Sequence, residues 1–169
     1  MQIAILSFFH YFMPMFKKRE SVLEVEEGKF LSPKFNAEGL IPVITTDHKT
    51  GDVLMHGYMN EDALKKTIET KEAYYWSRSR KVLWHKGKSS GFIQKVIEIR
   101  IDDDQDSIWM RVDIADGASC HVGYKSCFYR EVPLGKIQDQ EKIKMEFKEK
   151  KKKFDPKLIY KDKPNPTKI

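Results

Sequence analysis

Apolar and polar residues alternate with period 2 through several short runs of this chain, and a helical period shows clearly once. GLIPVITTD (39–47) reads as a strand, DHKTGD (47–52) as a turn and VLMHGYM (53–59) as the return strand, which predicts a hairpin. Asn60 follows as an N-cap, with Glu61 and Asp62 in the first turn of a short helix whose apolar face is Ala63, Leu64, Thr67 and Ile68. AYYWS (73–77) predicts a further strand, closed by the basic turn RSRK. FIQKVIEIRI (92–101) alternates, with Val96, Glu98 and Arg100 on one face and Ile97, Ile99 and Ile101 on the other. SIWMRVDIA (107–115) alternates too, placing Ile108, Met110, Val112 and Ile114 together. Period 2 on both sides of DDDQD makes that acidic cluster the junction of two strands.

Length and composition narrow the class. A chain of 169 residues, 40% hydrophobic and 33% charged, is long enough for one domain with a full core. Two cysteines, Cys120 and Cys127, could form one disulfide but make no disulfide framework, and a reducing cytoplasm is expected. The N-terminal apolar run is shorter than the roughly 20 residues that span a bilayer. It lacks a basic start and a small-residue cleavage site, so it does not read as a signal peptide. Met13 and Met15 precede FKKRES and offer alternative starts; a packed arm and a targeting segment are the other readings. The net charge of +6 owes much to the lysine-rich end after Lys136. That end predicts a charged helix over about 138–153 and a disordered, Pro-containing terminus, solvated and with little to bury. The expected organisation is an extension over 1–30, a domain over 31–135 and a charged tail over 136–169.

Three constellations carry candidate chemistry. Four aspartates in five positions repel one another unless water or a cation intervenes. Asp102, Asp104 and Asp106 match the first liganding places of an EF-hand loop, but Ser107 stands where that loop needs Gly and the flanks read as strands. The EF-hand reading fails. A carboxylate site for a hard cation survives, because alternate residues of an extended chain point the same way. The second constellation is ASCHVGYKSC (118–127), in which His121 adjoins Cys120. Six residues between the cysteines are too many for a structural zinc knuckle, and two thiolates leave a tetrahedral shell incomplete. Two buried thiols beside a surface histidine is the plain alternative. The third is WHKGKSSG (84–91), whose glycines, serines and lysines suit an anion, or an ordinary turn.

Jointly, SPKFNAEGLIPVI, TGDVLMHGYMNEDAL, YWSRSR, LWHKGKSSG, IDDDQD and ASCHVGYKSCFYR resemble the phosphoribosyl-AMP cyclohydrolase family of histidine biosynthesis, over roughly residues 32–130. The resemblance implies hydrolytic opening of the adenine ring of N1-(5-phosphoribosyl)-AMP between N1 and C6, with Zn(2+) and Mg(2+) as cofactors. It implies a homodimer sharing its metal site between chains. Carried over, Cys120 and Cys127 match zinc ligands, His121 a catalytic acid or base, and Asp102, Asp104 and Asp106 the magnesium carboxylates. Arg78, Arg80, Lys86, Lys88, Ser89, Ser90 and Gly91 are candidates for anion contacts from charge and loop chemistry. The chain also departs from the family pattern. The usual Asp-Cys-Asp is Asp102-Asp103-Asp104, the usual KGE carries Lys88, and the usual CHTG carries Val122. Asp103 is therefore the expected third zinc ligand, with His85 as its competitor.

The fold expected is a strand-dominated α+β domain, a curved mixed sheet or half-barrel with one short helix. A nucleotide is the expected small-molecule partner, with no membrane and no nucleic acid. A paralogue acting on another purine-like ring and a basic RNA-binding module are the rivals. A chain starting at Met15 should fold and turn over like the full chain; loss of folding or dimerisation on that truncation would show that residues 1–14 matter.

Overall fold

The computed structural model describes residues 15–135 and 142–161. Residues 1–14 of the expected extension over 1–30, residues 136–141 at the start of the expected tail and its helix, and the Pro-containing terminus after Lys161 lie outside the described residues. In chain order the elements are α1 (Val22–Glu26), β1 (Ile41–Asp47), β2 (Val53–Met59), α2 (Glu61–Thr70), β3 (Tyr74–Ser77), β4 (Val82–His85), β5 (Lys95–Ile101), β6 (Ile108–Asp113), β7 (Arg130–Glu131), β8 (Glu146–Phe147) and α3 (Pro156–Tyr160). Four strands form one sheet in the order β2-β1-β6-β5. Both outer pairs are antiparallel and the central β1–β6 pair is parallel, so the sheet is mixed. It stays open rather than closing into a barrel, and β3–β4 and β7–β8 form separate two-stranded ribbons. Among the described residues three helices replace the single one expected, although α1 and α3 have only five residues each.

Local chemistry explains most elements. The Asn60 side chain accepts the Ala63 N–H at 3.0 Å, and Lys71 ends α2 in the left-handed conformation. Ala63, Leu64 and Thr67 are buried, whereas Ile68 is exposed and leaves the predicted apolar face. Thr67 Oγ1 donates to Ala63 O and accepts the Tyr74 N–H, which ties the helix to β3. The core joins Ile41, Val43, Leu54, Met59, Leu64, Ile108, Met110 and Val112. Full burial of such side chains stabilises the fold by about 1.5–3 kcal/mol each.

Two expectations change. The alternation through 92–101 is interrupted, because the β5–β6 register shifts between Val96 and Glu98. Val96 packs against the core beside Ile99 and Ile101, while Ile97 points to solvent. One extra residue in a strand reverses every face upstream of it. The second change concerns the tail. Residues 142–153 contain no helix; Glu146–Phe147 pair instead with Arg130–Glu131. Tyr124 stacks on Tyr129 and both contact Phe147, while Phe154 stacks on Phe92. Three scattered aromatics, Phe147, Phe154 and Tyr160, dock this lysine-rich segment without helical or strand periodicity.

Inside the core runs one polar chain. Thr45 Oγ1 meets Tyr75 Oη at 2.7 Å, Tyr75 Oη donates to Gln94 Oε1 at 2.9 Å, and Gln94 Nε2 donates to Ser119 Oγ at 2.9 Å. All four residues are buried. Burial pushes the Tyr75 phenol well above its ordinary pKa, so the group serves as a neutral relay. Gly57 makes room for it, since a Cβ there would lie 2.8 Å from the Tyr75 ring. Tyr75→Phe strips Thr45 and Gln94 of a shared partner in a dry interior. The expected loss is about 1–3 kcal/mol, read as a lower urea midpoint with unchanged slope; an unaltered midpoint would count against the relay's structural role.

Candidate active site

The acidic cluster forms the β5–β6 turn. Its residues do not remain extended: Gln105 adopts φ 59° and its N–H returns to Asp102 O at 3.2 Å. Asp102 Oδ1 accepts the N–H groups of Asp106 and Ser107, both at 2.9 Å. This turn, rather than strand alternation, brings ligand atoms of Asp102, Asp104 and Asp106 within 4.8 Å of one another. Oxygen-only ligands so disposed fit a hard cation. Lys34 Nζ lies 2.8 Å from Asp104 and 3.1 Å from Asp106, and its hydrogen bond holds Asp104 below the usual carboxylate range. Gln105 is buried, accepting from Ser32 N and donating to Val25 O, and so fastens the acidic turn to the segment around α1. Arg19 adds a bond to Asp104 O. Sequence reading passed over Lys34, Arg19 and Gln105, because their partners lie 70 or more residues away.

The cysteine loop is built by a second turn. Ser119 N bonds Lys125 O, Cys120 N bonds Tyr124 O and Gly123 N bonds Cys120 O, which leaves His121 and Val122 at the tip. Cys127 N donates to Leu54 O at 2.7 Å, stitching the second cysteine to β2. Both cysteines are free thiols. They lie against each other: contact with Cys127 pulls the Cys120 thiol down to about 6, while Cys120 pushes Cys127 upward. His121 is half-buried beside them. Two adjoining sulfurs of which one ionises readily fit part of a zinc shell. Among the described residues the three aspartates are the one group of three or more ligands that converge. Asp103 is exposed at the apex of the acidic turn and does not join the cysteines within this chain.

Other candidates fall in different places. Lys86 is buried, and its ammonium donates to Ser119 O at 2.6 Å beside the cysteine loop. Burial lowers its pKa, opposed by the negative charge that Cys127 and Cys120 can carry. Gly87 follows at φ +89°, where a Cβ would lie 2.1 Å from Phe92 O. Lys88, Ser89 and Gly91 are exposed and Ser90 is half-buried. Arg78 lies over the Tyr58 ring, whereas exposed Arg80 lies over the Trp84 ring that the buried Lys86 ammonium also approaches. His85 Nε2 lies 2.8 Å from Glu72 and its ring stacks on Tyr74. That pairing turns the competitor for the metal vacancy toward β3 instead.

The tail completes the loop. Glu149 accepts the backbone N–H groups of Lys125 and Ser126 at 2.8 and 2.9 Å, immediately before Cys127. Lys153 N donates to Gly123 O at 2.7 Å, and Tyr160 reaches Ser90. Nothing in the periodicity of the tail announces Glu149. Among the described residues no helix is long and apolar enough to cross a membrane.

Comparison with known proteins agrees with this geometry. Residues 55–129 match the family model described as phosphoribosyl-AMP cyclohydrolase, a span from β2 through both cysteines. The phosphoribosyl-AMP cyclohydrolase of Rhodopseudomonas palustris strain TIE-1 is 52% identical over 137 residues, covering 81% of this chain and 89% of the relative. That of Nitrobacter winogradskyi strain Nb-255 is 49% identical over 144 residues, covering 85% and 97%. With half its residues shared along nearly the whole of such relatives, and its acidic turn and cysteine loop inside the shared region, the chain belongs to the phosphoribosyl-AMP cyclohydrolase family.

Proposed function

We propose that this chain hydrolyses N1-(5-phosphoribosyl)-AMP to the formimino-carboxamide ribonucleotide in histidine biosynthesis, and does so in the cytoplasm. The observation that carries the proposal is the contact of Cys120 with Cys127 beside His121, in a member of this family. Water adds at C6, the N1–C6 bond breaks, and C6 leaves as the carbonyl carbon of the carboxamide. His121 takes a proton from the attacking water and returns one to N1. Cys120 and Cys127 would hold a zinc ion, which when bound would supply acidity by lowering the pKa of water toward ~7. Asp102, Asp104 and Asp106 would hold a magnesium ion, and the loop of exposed Lys88, Ser89 and Gly91 with half-buried Ser90 would face substrate. Lys86 acts from beneath by fixing the carbonyl of Ser119, next to Cys120.

The active form we infer is a homodimer. Two thiols leave zinc short of a third protein ligand, and exposed Asp103 at the tip of the acidic turn is free to approach a second copy. Zinc accepts a carboxylate oxygen, and the harder ligand makes manganese or iron(II) better tolerated than in a three-thiolate shell.

Turnover by the purified chain, followed as the purine absorbance changes on ring opening, tests the activity; metal content tests the ligands. Asp103→Ala and Cys127→Ala should each abolish zinc retention and turnover, while His85→Ala retains both. Refolding the two inactive chains together should restore about a quarter of parental activity in an equimolar mixture, because half the dimers are mixed and each has one intact site. No recovery on mixing, with each variant properly dimeric, would exclude a site shared between chains.

A further inference from the structure

We propose that the groove between the start of β2 and residues 148–153 binds one phosphate of the substrate through Lys150, Lys151 and Lys153; this rests on the cyclohydrolase reading above. The groove measures about 850 Å³. Val53, Ser126 and Phe128 line one side and the lysine run lines the other. Ser126 and Phe128 are the chain neighbours of Cys127, so the groove opens beside the proposed reaction centre.

Charge accounting separates this groove from an ordinary solvated lysine run. Its two carboxylates are already engaged: Asp52 accepts from Lys125 and Thr50, and Glu149 accepts two backbone N–H groups. Lys125 pairs with Asp47 and Asp52, Lys148 pairs with Glu131, and Lys152 lies over the Tyr124 ring. The ammonium groups of Lys150, Lys151 and Lys153 have no ion pair or hydrogen bond among the described residues. Three unneutralised cations thus line one groove, and their backbone is pinned at both ends by Glu149 and by the bond from Lys153 N to Gly123 O. Lysines recognise phosphate as point charges without the fixed fork of arginine, which suits side chains that start from anchored stems. A substrate with two phosphates has use for two subsites. The acidic turn can meet one only through a cation, whereas this groove meets the other directly.

The test starts from the parent chain. Turnover of N1-(5-phosphoribosyl)-AMP establishes the activity, and titration with inorganic phosphate, which needs no turnover, reads the groove separately. The triple variant Lys150→Gln, Lys151→Gln, Lys153→Gln should raise KM about tenfold with kcat within about twofold, and weaken phosphate binding in parallel. The corresponding triple Lys→Arg variant should keep the parental KM. The KM difference between parent and Gln variant should shrink as salt is added. Unchanged KM and phosphate binding in an active parent overturns the proposal, as does a fall in kcat alone, which would make the segment a structural strap. Loss of single-stranded RNA binding with KM unchanged gives the groove to nucleic acid and overturns it equally. A parent that binds phosphate but opens no ring sinks the cyclohydrolase reading and leaves the groove as an anion site.

Discussion

The buried line from Thr45 through Tyr75 and Gln94 to Ser119 is the constraint on which the remaining architecture depends. Each member sits on a different element: Thr45 on β1, Tyr75 on β3, Gln94 before β5 and Ser119 in the cysteine loop. An unpaired polar group in such an interior costs about 1–3 kcal/mol, so each break in the line weakens the fold. Its completion sets the β3–β4 ribbon against the sheet and brings Ser119 to a defined depth. Lys86 then reaches the Ser119 carbonyl, and Cys120 follows by one residue. The reactive thiols are in this way positioned by the core and not by their own loop alone.

The two turns that carry chemistry use different means to one end. The acidic turn gathers like charges by spending one carboxylate oxygen of Asp102 on backbone N–H groups and by bringing Lys34 close to the other two residues. The cysteine loop gathers two sulfurs by pairing its own backbone and by borrowing Leu54 O and the Glu149 carboxylate from outside. In each case a contact with a distant segment completes what the local chain begins. Gln105 does this for the acidic turn, joining it to residues 25–32, and Glu149 does it for the residues before Cys127.

The lysine-rich end illustrates how composition misleads when apolar residues are few but well placed. Low hydrophobicity and a run of like charge predict a solvated segment. Phe147, Phe154 and Tyr160 nevertheless find Tyr129, Phe92 and Ser90 on the domain surface. These aromatic contacts, together with the Glu149 carboxylate and the bond from Lys153 N to Gly123 O, dock a segment whose sequence carries no sustained apolar period. The docked segment closes one wall of a basic groove beside Cys127 that an extended tail would not form.

Sequence alone determined strands β1, β2, β3, β5 and β6, the β1–β2 hairpin, the N-cap at Asn60, the buried face of β6 and the family, because these depend on short-range periodicity, capping chemistry and motifs contiguous in the chain. It missed β4, whose Trp84 and His85 it placed in a loop, and the short β7–β8 pair. It also named Asp102, Asp104 and Asp106 as a convergent set, although for the wrong reason: a turn with Gln105 at positive φ brings them together, not an extended chain. What it could not determine was pairing across distance. The parallel union of β1 with β6, the bulge that turns Val96 inward, the inward course of Lys86 and the partnership of His85 with Glu72 all rest on contacts that no local pattern encodes. Only the tertiary structure decided them, because a side chain's direction is set by whichever partner the folded core places within hydrogen-bonding or packing reach.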